Sequence, residues 1–209
     1  AGPVSRGLDD FTVRTWNEND GLSVSRITAI TQDHDGYLWL GTDAGLVKFD
    51  GVRFVPVTDL DGVKLPVAPI PALLSASDRS LWIGTVGPYG LARLRNGRVT
   101  QYGADRGLRP GYVIALLEDR DHVLWAGNAS GLFTFDGDRW HQVTDPALAG
   151  SSVLALHQSR DGSLWVATRS SVFRRQAGDG ASALMDTFDY RRENEKNIVT
   201  LTKQVQRLG

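Results

Sequence analysis

Apolar residues recur along this chain in short runs, each bounded by a polar or glycine-bearing turn. The run ITAIT (27–31) leads into the polar turn DHDG (33–36), then YLWLGT (37–42), GLVKF (45–49), the pair Asp50-Gly51 and RFVPV (53–57). The succession returns as IPALL (70–74), SDRS (77–80), SLWIGT (80–85), GLARL (90–94), Asn96-Gly97 and RVTQY (98–102). It returns again as YVIALL (112–117), DRDH (119–122), VLWAGN (123–128), GLFTF (131–135), Asp136-Gly137 and RWHQV (139–143). A fourth passage, SVLAL (152–156), SRDG (159–162), SLWVAT (163–168) and SVFRR (171–175), has no clear fourth run after Arg175. Short runs of this kind between turn clusters predict β-strands, and Asx-Gly between two of them predicts a hairpin, because both residues tolerate positive φ.

Trp39, Trp82, Trp125 and Trp165 mark the repeat, at successive spacings of 43, 43 and 40 residues. A period of about 40–45 residues with four strands per unit is that of a propeller blade. One such sheet cannot bury both faces by itself; stacking around an axis solves that. The expectation is an all-β propeller of four blades, a partial or shortened ring, with units at about 21–59, 65–103, 107–145 and 148–176. The tryptophans take a structural role between neighbouring sheets. FTVRTW (11–16) reads as an orphan outer strand able to complete blade four. Residues 177–209 read as a linker and an amphipathic segment, with apolar residues at 198, 201, 205 and 208 predicting a short C-terminal helix.

Residues 21–51 carry nearly the whole pattern "GL-x-x-x-x-I-x-x-I-x-Q-D-x-D-G-x-L-W-x-G-T-x-x-G-L-x-x-F-D-G". The string resembles the two-component regulator propeller repeat, over about residues 11–176. The resemblance implies the periplasmic, or more broadly extracytoplasmic, sensor portion of bacterial hybrid histidine kinases and diguanylate cyclases. It implies ligand sensing without chemistry in this segment. Such propellers usually have seven blades, so open blade edges or the C-terminal helix are expected to support self-association. The second unit departs from the pattern at Asp78-Arg79-Ser80, and the fourth at Ala167, Ser170 and Ser171, where glycines are expected.

Charge and chemistry narrow the reading. The formal net charge is −1, which gives no basic surface for nucleic acid and no polybasic run for lipid. There is no cysteine and no apolar run of about 18 residues, so neither thiolate chemistry nor membrane contact by this segment is expected. His34, His122, His141 and His157 lack metal-ligand spacing, and no nucleotide or nucleophile motif occurs, so neither metal, cofactor nor catalytic residue is expected. DHDG and SRDG resemble aspartate-box turns, whose carboxylates bond their own hairpin.

A ligand is expected on the loops that join successive blades and the second and third strands of each. Arg26, Asp43, Tyr89, Arg109, Tyr112, Asn128 and Arg169 are the candidates there. The arginines suit carboxylate or sulfate, and the tyrosines suit stacking on sugar rings, so a small molecule or oligosaccharide is the expected ligand. Two other readings stand beside this one. A glycan-active propeller enzyme requires two carboxylates converging on the channel face. A protein-interaction scaffold requires an exposed patch, with residues 60–71 as its candidate.

Overall fold

The computed structural model of the protein describes residues 14–17, 20–22, 26–60, 62–65, 68–86, 90–176, 186–193 and 196–202. Four antiparallel sheets follow one another along the chain. Blade one is β1 (Ile27–Gln32), β2 (Leu38–Thr42), β3 (Gly45–Phe49) and β4 (Phe54–Val57). A small hairpin, β5 (Asp59–Leu60) and β6 (Val63–Lys64), leads to blade two. Blade two is β7 (Ala72–Ser75), β8 (Leu81–Gly84), β9 (Leu91–Arg95) and β10 (Arg98–Tyr102). Blade three is β11 (Ala115–Glu118), β12 (Leu124–Asn128), β13 (Gly131–Phe135) and β14 (Trp140–Gln142). Blade four is β15 (Val153–Gln158), β16 (Leu164–Thr168), β17 (Val172–Arg175), β18 (Asp186–Glu193) and β19 (Lys196–Thr202). The four-bladed all-β propeller arrangement is the one the repeat predicts.

The blades stack in chain order: β1 and β2 lie against β7, β7 against β11, and β11 and β12 against β15. Each joint has its own core. Trp39, Leu46, Ile70, Leu81 and Ile83 fill the first; Trp82, Tyr102, Val113, Phe133 and Trp140 the second; Trp125, Leu132, Val153, Val166 and Phe173 the third. Trp82 and Trp125 are fully buried. Truncating a buried tryptophan to alanine costs on the order of 3–5 kcal/mol, so each joint leans heavily on one side chain.

The glycine two residues after each of the first three tryptophans has a steric reason. A Cβ built on Gly41 falls 2.3 Å from the Ile70 carbonyl oxygen, on Gly84 2.4 Å from that of Val113, and on Gly127 2.4 Å from a Val153 methyl. These glycines admit the first strand of the following blade. Ala167 holds the same position in blade four.

Two expectations about the chain ends are corrected. The fourth strand of blade four is not FTVRTW: β18 takes that place, pairing Val172 with Phe188 and Arg174 with Asp186. Residues 11–13 lie outside the described residues, and 14–16 form no strand. Trp16 instead packs edge-on against Phe49 at 5.4 Å, on the face of blade one that looks away from blade two. The C-terminal helix is also replaced, since Lys196–Thr202 is a strand paired with β18. Ile198, Val199, Thr200 and Thr202 are β-branched, which favours the pleated conformation over the helix that the spacing of 198 and 201 alone implies. Residues 203–209 lie outside the described residues.

Candidate functional site

Antiparallel blades have two ends. One gathers the turns between first and second strands and between third and fourth; the other gathers the connections between blades. The two ends use their polar residues differently.

At the turn end the aspartate-box residues fasten the tryptophans. Asp33 accepts the Asp35 and Tyr37 backbone N–H groups through Oδ1 and the Trp39 indole N–H through Oδ2 at 2.7 Å. Asp119 repeats this with Asp121, Val123 and Trp125 Nε1 at 2.8 Å. In blade four Ser159 Oγ accepts from Trp165 Nε1 at 3.1 Å. In blade two Ala76 holds the position, and Trp82 Nε1 has no partner among the described residues. A cation lies near each of these two rings, as Lys48 and Arg175 do near those of Trp39 and Trp125. Arg93 and Arg174 lie directly across the ladder from Trp82 and Trp165, with guanidinium carbons 5.2 and 5.6 Å from the ring centroids. Arg93 pairs with Asp78, and Arg174 with Asp161 at 2.9 Å.

Four turn carboxyls, Asp50, Asp78, Asp136 and Asp161, titrate low. Burial pushes Asp78 up, but the Ser80 hydroxyl and amide and the Arg93 guanidinium outweigh it and hold the group below the usual range. The Ser159 hydroxyl and the Ser163 amide bring Asp161 to about 2. The Arg139 and Asp138 amides and then His141 hold Asp136 far below the usual range, and the Arg53 and Val52 amides lower Asp50. Hydrogen bonds to the charged form are the common cause.

Neighbouring turns are also tied to one another. His34 donates from Nε2 to the Ala76 carbonyl at 2.8 Å, Arg79 pairs with Asp35 at 2.5 Å, and Arg120 donates to the Arg160 carbonyl at 2.7 Å. Arg79 and His122 take left-handed backbone conformations (φ 66° and 61°) where blades one and four have Gly36 and Gly162. The lost glycine of the second unit is therefore accommodated with its turn intact. Ser77, Glu118 and His122 form a cluster: the Ser77 hydroxyl donates to Glu118, and His122 Nδ1 lies 3.0 Å from that hydroxyl and 3.3 Å from the carboxylate. Both contacts use the same ring nitrogen, so the cluster clasps two turns and offers no relay from acid through imidazole to hydroxyl. Among the described residues no group of three or more His, Asp or Glu side chains has metal-binding geometry.

At the connection end the sequence candidates separate. Arg26 and Asp43 pair with each other at 3.2 Å, each charge answered by the other. Asn128 is buried, donating to the Arg109 carbonyl at 3.0 Å and accepting from the Ser130 amide at 2.7 Å. It braces a loop instead of facing a ligand. Tyr89 lies outside the described residues. Arg109, Tyr112 and Arg169 are exposed, Tyr112 at 54%. Arg109 and Tyr112 sit on one connection, 103–114, which is held firmly. Leu108 is buried beneath it, its amide bonds the Gly103 carbonyl at 3.0 Å, and Ser130 Oγ donates to the Pro110 carbonyl at 2.8 Å. This braced loop thus presents an exposed aromatic ring and an exposed guanidinium. Sequence alone missed the brace, because Asn128 lies 19 residues from the carbonyl it holds.

The innermost strands β1, β7, β11 and β15 converge on a groove of about 270 Å³. The side chains that line it are apolar, Ile30, Leu73, Leu116 and Leu154 among them. The paired carboxylates that glycan cleavage requires are not among its lining residues.

The profile of the two component regulator propeller family matches residues 21–44 and 147–170, within blades one and four. The chain is similar to a histidine kinase of Formosa agariphila, with 47% identity over 45 residues, covering 22% of this chain and 3% of that protein. In fold it is similar to the extracellular domain of the hybrid two component system BT4673 of B. thetaiotaomicron (TM-score 0.63, 20% identity, 81% of this chain and 23% of that one). It is also similar to virginiamycin B lyase of Staphylococcus aureus (TM-score 0.59, 13% identity, 85% of this chain and 69% of that one). The structural likenesses are likenesses of fold. The chain spans about a quarter of the BT4673 domain and a small fraction of the kinase. Among the described residues no helix is long and apolar enough to cross a membrane. The chain is thus an all-β, four-bladed propeller arrangement, two stretches of which, in its first and fourth units, match the two component regulator propeller model.

Proposed function

We propose that this chain is part of the extracytoplasmic sensing propeller of a bacterial two-component receptor, binding an oligosaccharide at its connection end without transforming it. The observation that carries this reading is the braced loop 103–114, with Tyr112 exposed at 54% above a buried Leu108. An aromatic face held in place stacks on a sugar ring with little ordering cost, and Arg109 beside it meets acidic substituents. Exposed Arg169 sits at the same end, on the connection between β16 and β17. The polar residues of the turn end are in contrast largely engaged with their own hairpins and neighbours. The family match at both ends of the repeat array supports a sensing role.

The test is calorimetric titration of the purified chain with a panel of plant and bacterial oligosaccharides. One or more members are expected to bind, and Tyr112→Ala is expected to weaken that binding about tenfold, the scale of one aromatic stacking contact. Unchanged circular dichroism separates that loss from unfolding. No binding across the panel, or binding indifferent to Tyr112 and Arg109, refutes the reading. Turnover of a bound glycan would favour an enzyme instead.

A further inference from the structure

The face of blade one that looks away from blade two is half covered, and the other joints show what completes such a cover. Leu40, Val47 and Phe49 are buried there beneath Trp16 and Leu22. Residues 14–17 and 20–22 lie on blade one as residues 100–103 and 106–108 lie on blade three. The Leu22 amide donates to the Asn17 carbonyl at 3.3 Å, as the Leu108 amide does to that of Gly103 at 3.0 Å. Gly21 and Gly107 share a left-handed backbone, φ 88° and 84°. A Cβ on either would face the carbonyl oxygen of Phe54 or of Trp140, which hold equivalent positions. Trp16 meets Phe49 edge-on at 5.4 Å, as Tyr102 meets Phe135 at 5.3 Å. Tyr102 ends the outer strand of blade two. Trp16 therefore stands where the outer strand of a blade before blade one would end.

The inner part of that joint is open. At the three internal joints the preceding blade lays its second strand over the start of the next inner strand, Gly41, Gly84 and Gly127 passing so close to Ile70, Val113 and Val153 that a Cβ would collide. Ile70, Val113 and Val153 are each 0% exposed. Ile27 holds the same place in blade one, six residues before Asp33 as Val113 is before Asp119, and it is 47% exposed. Ile30 is 63% exposed, whereas its equivalents Leu73, Leu116 and Leu156 are half-buried. Exposed isoleucines at a place that is dry in every other blade call for an apolar cover. Blade four, of this chain or of a second copy, does not suit it. Ala167 carries a Cβ where the close approach needs glycine, and Cβ atoms built on the equivalent glycines fall 2.3–2.4 Å from the next strand. β18 already pairs with β17, which leaves no free edge there for the segment ending at Trp16.

We infer that the leading face of blade one is an interaction surface for one more unit of the same repeat, joined ahead of residue 11. The unit contributes three strands, and the segment ending at Trp16 serves as its fourth. Its second strand carries glycine two residues after the tryptophan, as in blades one to three, and covers Ile27. Its tryptophan joins Leu38, Leu40 and Val47, as Trp82 joins Leu124, Ala126 and Phe133 in one core. Stacked repeats draw their stability from such neighbour contacts. The array is thus polar, open at blade one and closed at blade four by Ala167 and β18. The inference goes beyond the preceding reading: it concerns assembly and holds whatever the connection end binds.

Ile27→Cys gives a chain without other cysteines a single thiol, whose exposure is read by its rate of reaction with a colorimetric disulfide reagent. The thiol is expected to react about tenfold faster than that of Val113→Cys, a position covered by blade two. A copy of residues 107–137, put in place of residues 1–10, ends on Asp136-Gly137 and runs into residue 11 in the register of blade three. That extension is expected to slow the labelling of Ile27→Cys about tenfold and to raise the denaturant midpoint within one transition. With Gly127→Ala in the copied unit both gains are lost. The midpoint is read without the cysteine, so it decides the matter should Ile27→Cys fold poorly. The inference is overturned if the extension leaves the labelling of a folded Ile27→Cys unchanged, if it leaves the midpoint unchanged, or if the copied unit serves equally well with Gly127→Ala. It is also overturned if the unextended chain forms a dimer in light scattering in which Ile27→Cys is protected, for then a second copy fills the face.

Discussion

Blades one and three differ from blades two and four at a single turn position, and the difference shows what that position does. Asp33 and Asp119 each hold two backbone amides and an indole with one carboxylate. Blade four replaces the aspartate with Ser159, which still reaches its indole, and blade two replaces it with Ala76, which does not. Both substituted blades carry an arginine across the ladder from the tryptophan, locked to the turn's third residue, Asp78 or Asp161. In the other two blades that cross-strand residue is Lys48 or Thr134. A cation lies near all four rings, Lys48 Nζ 5.2 Å from that of Trp39 and the Arg175 guanidinium 4.9 Å from that of Trp125 included, so the blades differ chiefly in what the indole N–H meets. Asp33, Asp119 and Ser159 each accept from the indole N–H of their blade, and in blade two the Trp82 N–H has no acceptor among the described residues.

The largest effect is expected from removing the carboxylate that holds the indole where it is most buried. Asp119→Ala strips three hydrogen bonds from a buried carboxylate and should destabilise the chain by about 3 kcal/mol, read as a lower denaturant midpoint. Asp33→Ala, at a less buried turn, should cost less. Gly84→Ala should cost about 2 kcal/mol, because its Cβ meets the Val113 carbonyl oxygen at 2.4 Å. Arg174→Met removes the contact with Trp165 and the pair with Asp161 and should cost about 1 kcal/mol. It sharpens the comparison by weighing the guanidinium's contribution by itself.

Acid gives the smallest and most distributed effect. Asp50, Asp78, Asp136 and Asp161 all titrate below their usual value when folded. Their contribution is fully present above the unfolded value near pH 4 and is lost as pH falls through the folded values, Asp161 at about 2. Unfolding midpoints should therefore hold steady from pH 7 to about pH 5 and decline progressively below pH 4. A constant midpoint down to pH 2 would mean that these turns do not contribute to stability.

Much of the fold can be read from particular residues. The tryptophan spacing defines the blades, and Asp50-Gly51, Asn96-Gly97 and Asp136-Gly137 mark their outer hairpins. The last strand of blade four is not legible that way. It lies beyond the small-residue stretch 176–182, whose Asp179-Gly180 falls four residues after Arg175 instead of close behind the third run as in the other units. The candidate site was legible only in part. Loop position alone does not tell an exposed residue from a brace: Asn128 ends a strand and turns inward, whereas Tyr112 turns outward. Arg26 and Asp43 are brought together by the hairpin of β1 and β2, whose register places Ile27 beside Thr42. Such pairings follow from register, which a list of loop residues does not contain. The substitution at Ala76 was visible in the sequence, but its consequence needed the bond from Asp33 to Trp39 as a reference.

The most direct test of this account is equilibrium unfolding of Ala76→Asp and Asp119→Ala side by side. The two changes install and remove the same carboxylate at equivalent turns. Ala76→Asp should raise stability by about 1 kcal/mol by pairing the Trp82 indole, and Asp119→Ala should lower it by about 3 kcal/mol. Equal loss of stability in both would contradict the equivalence of the turns and the reading of blade two as a turn with its carboxylate place open.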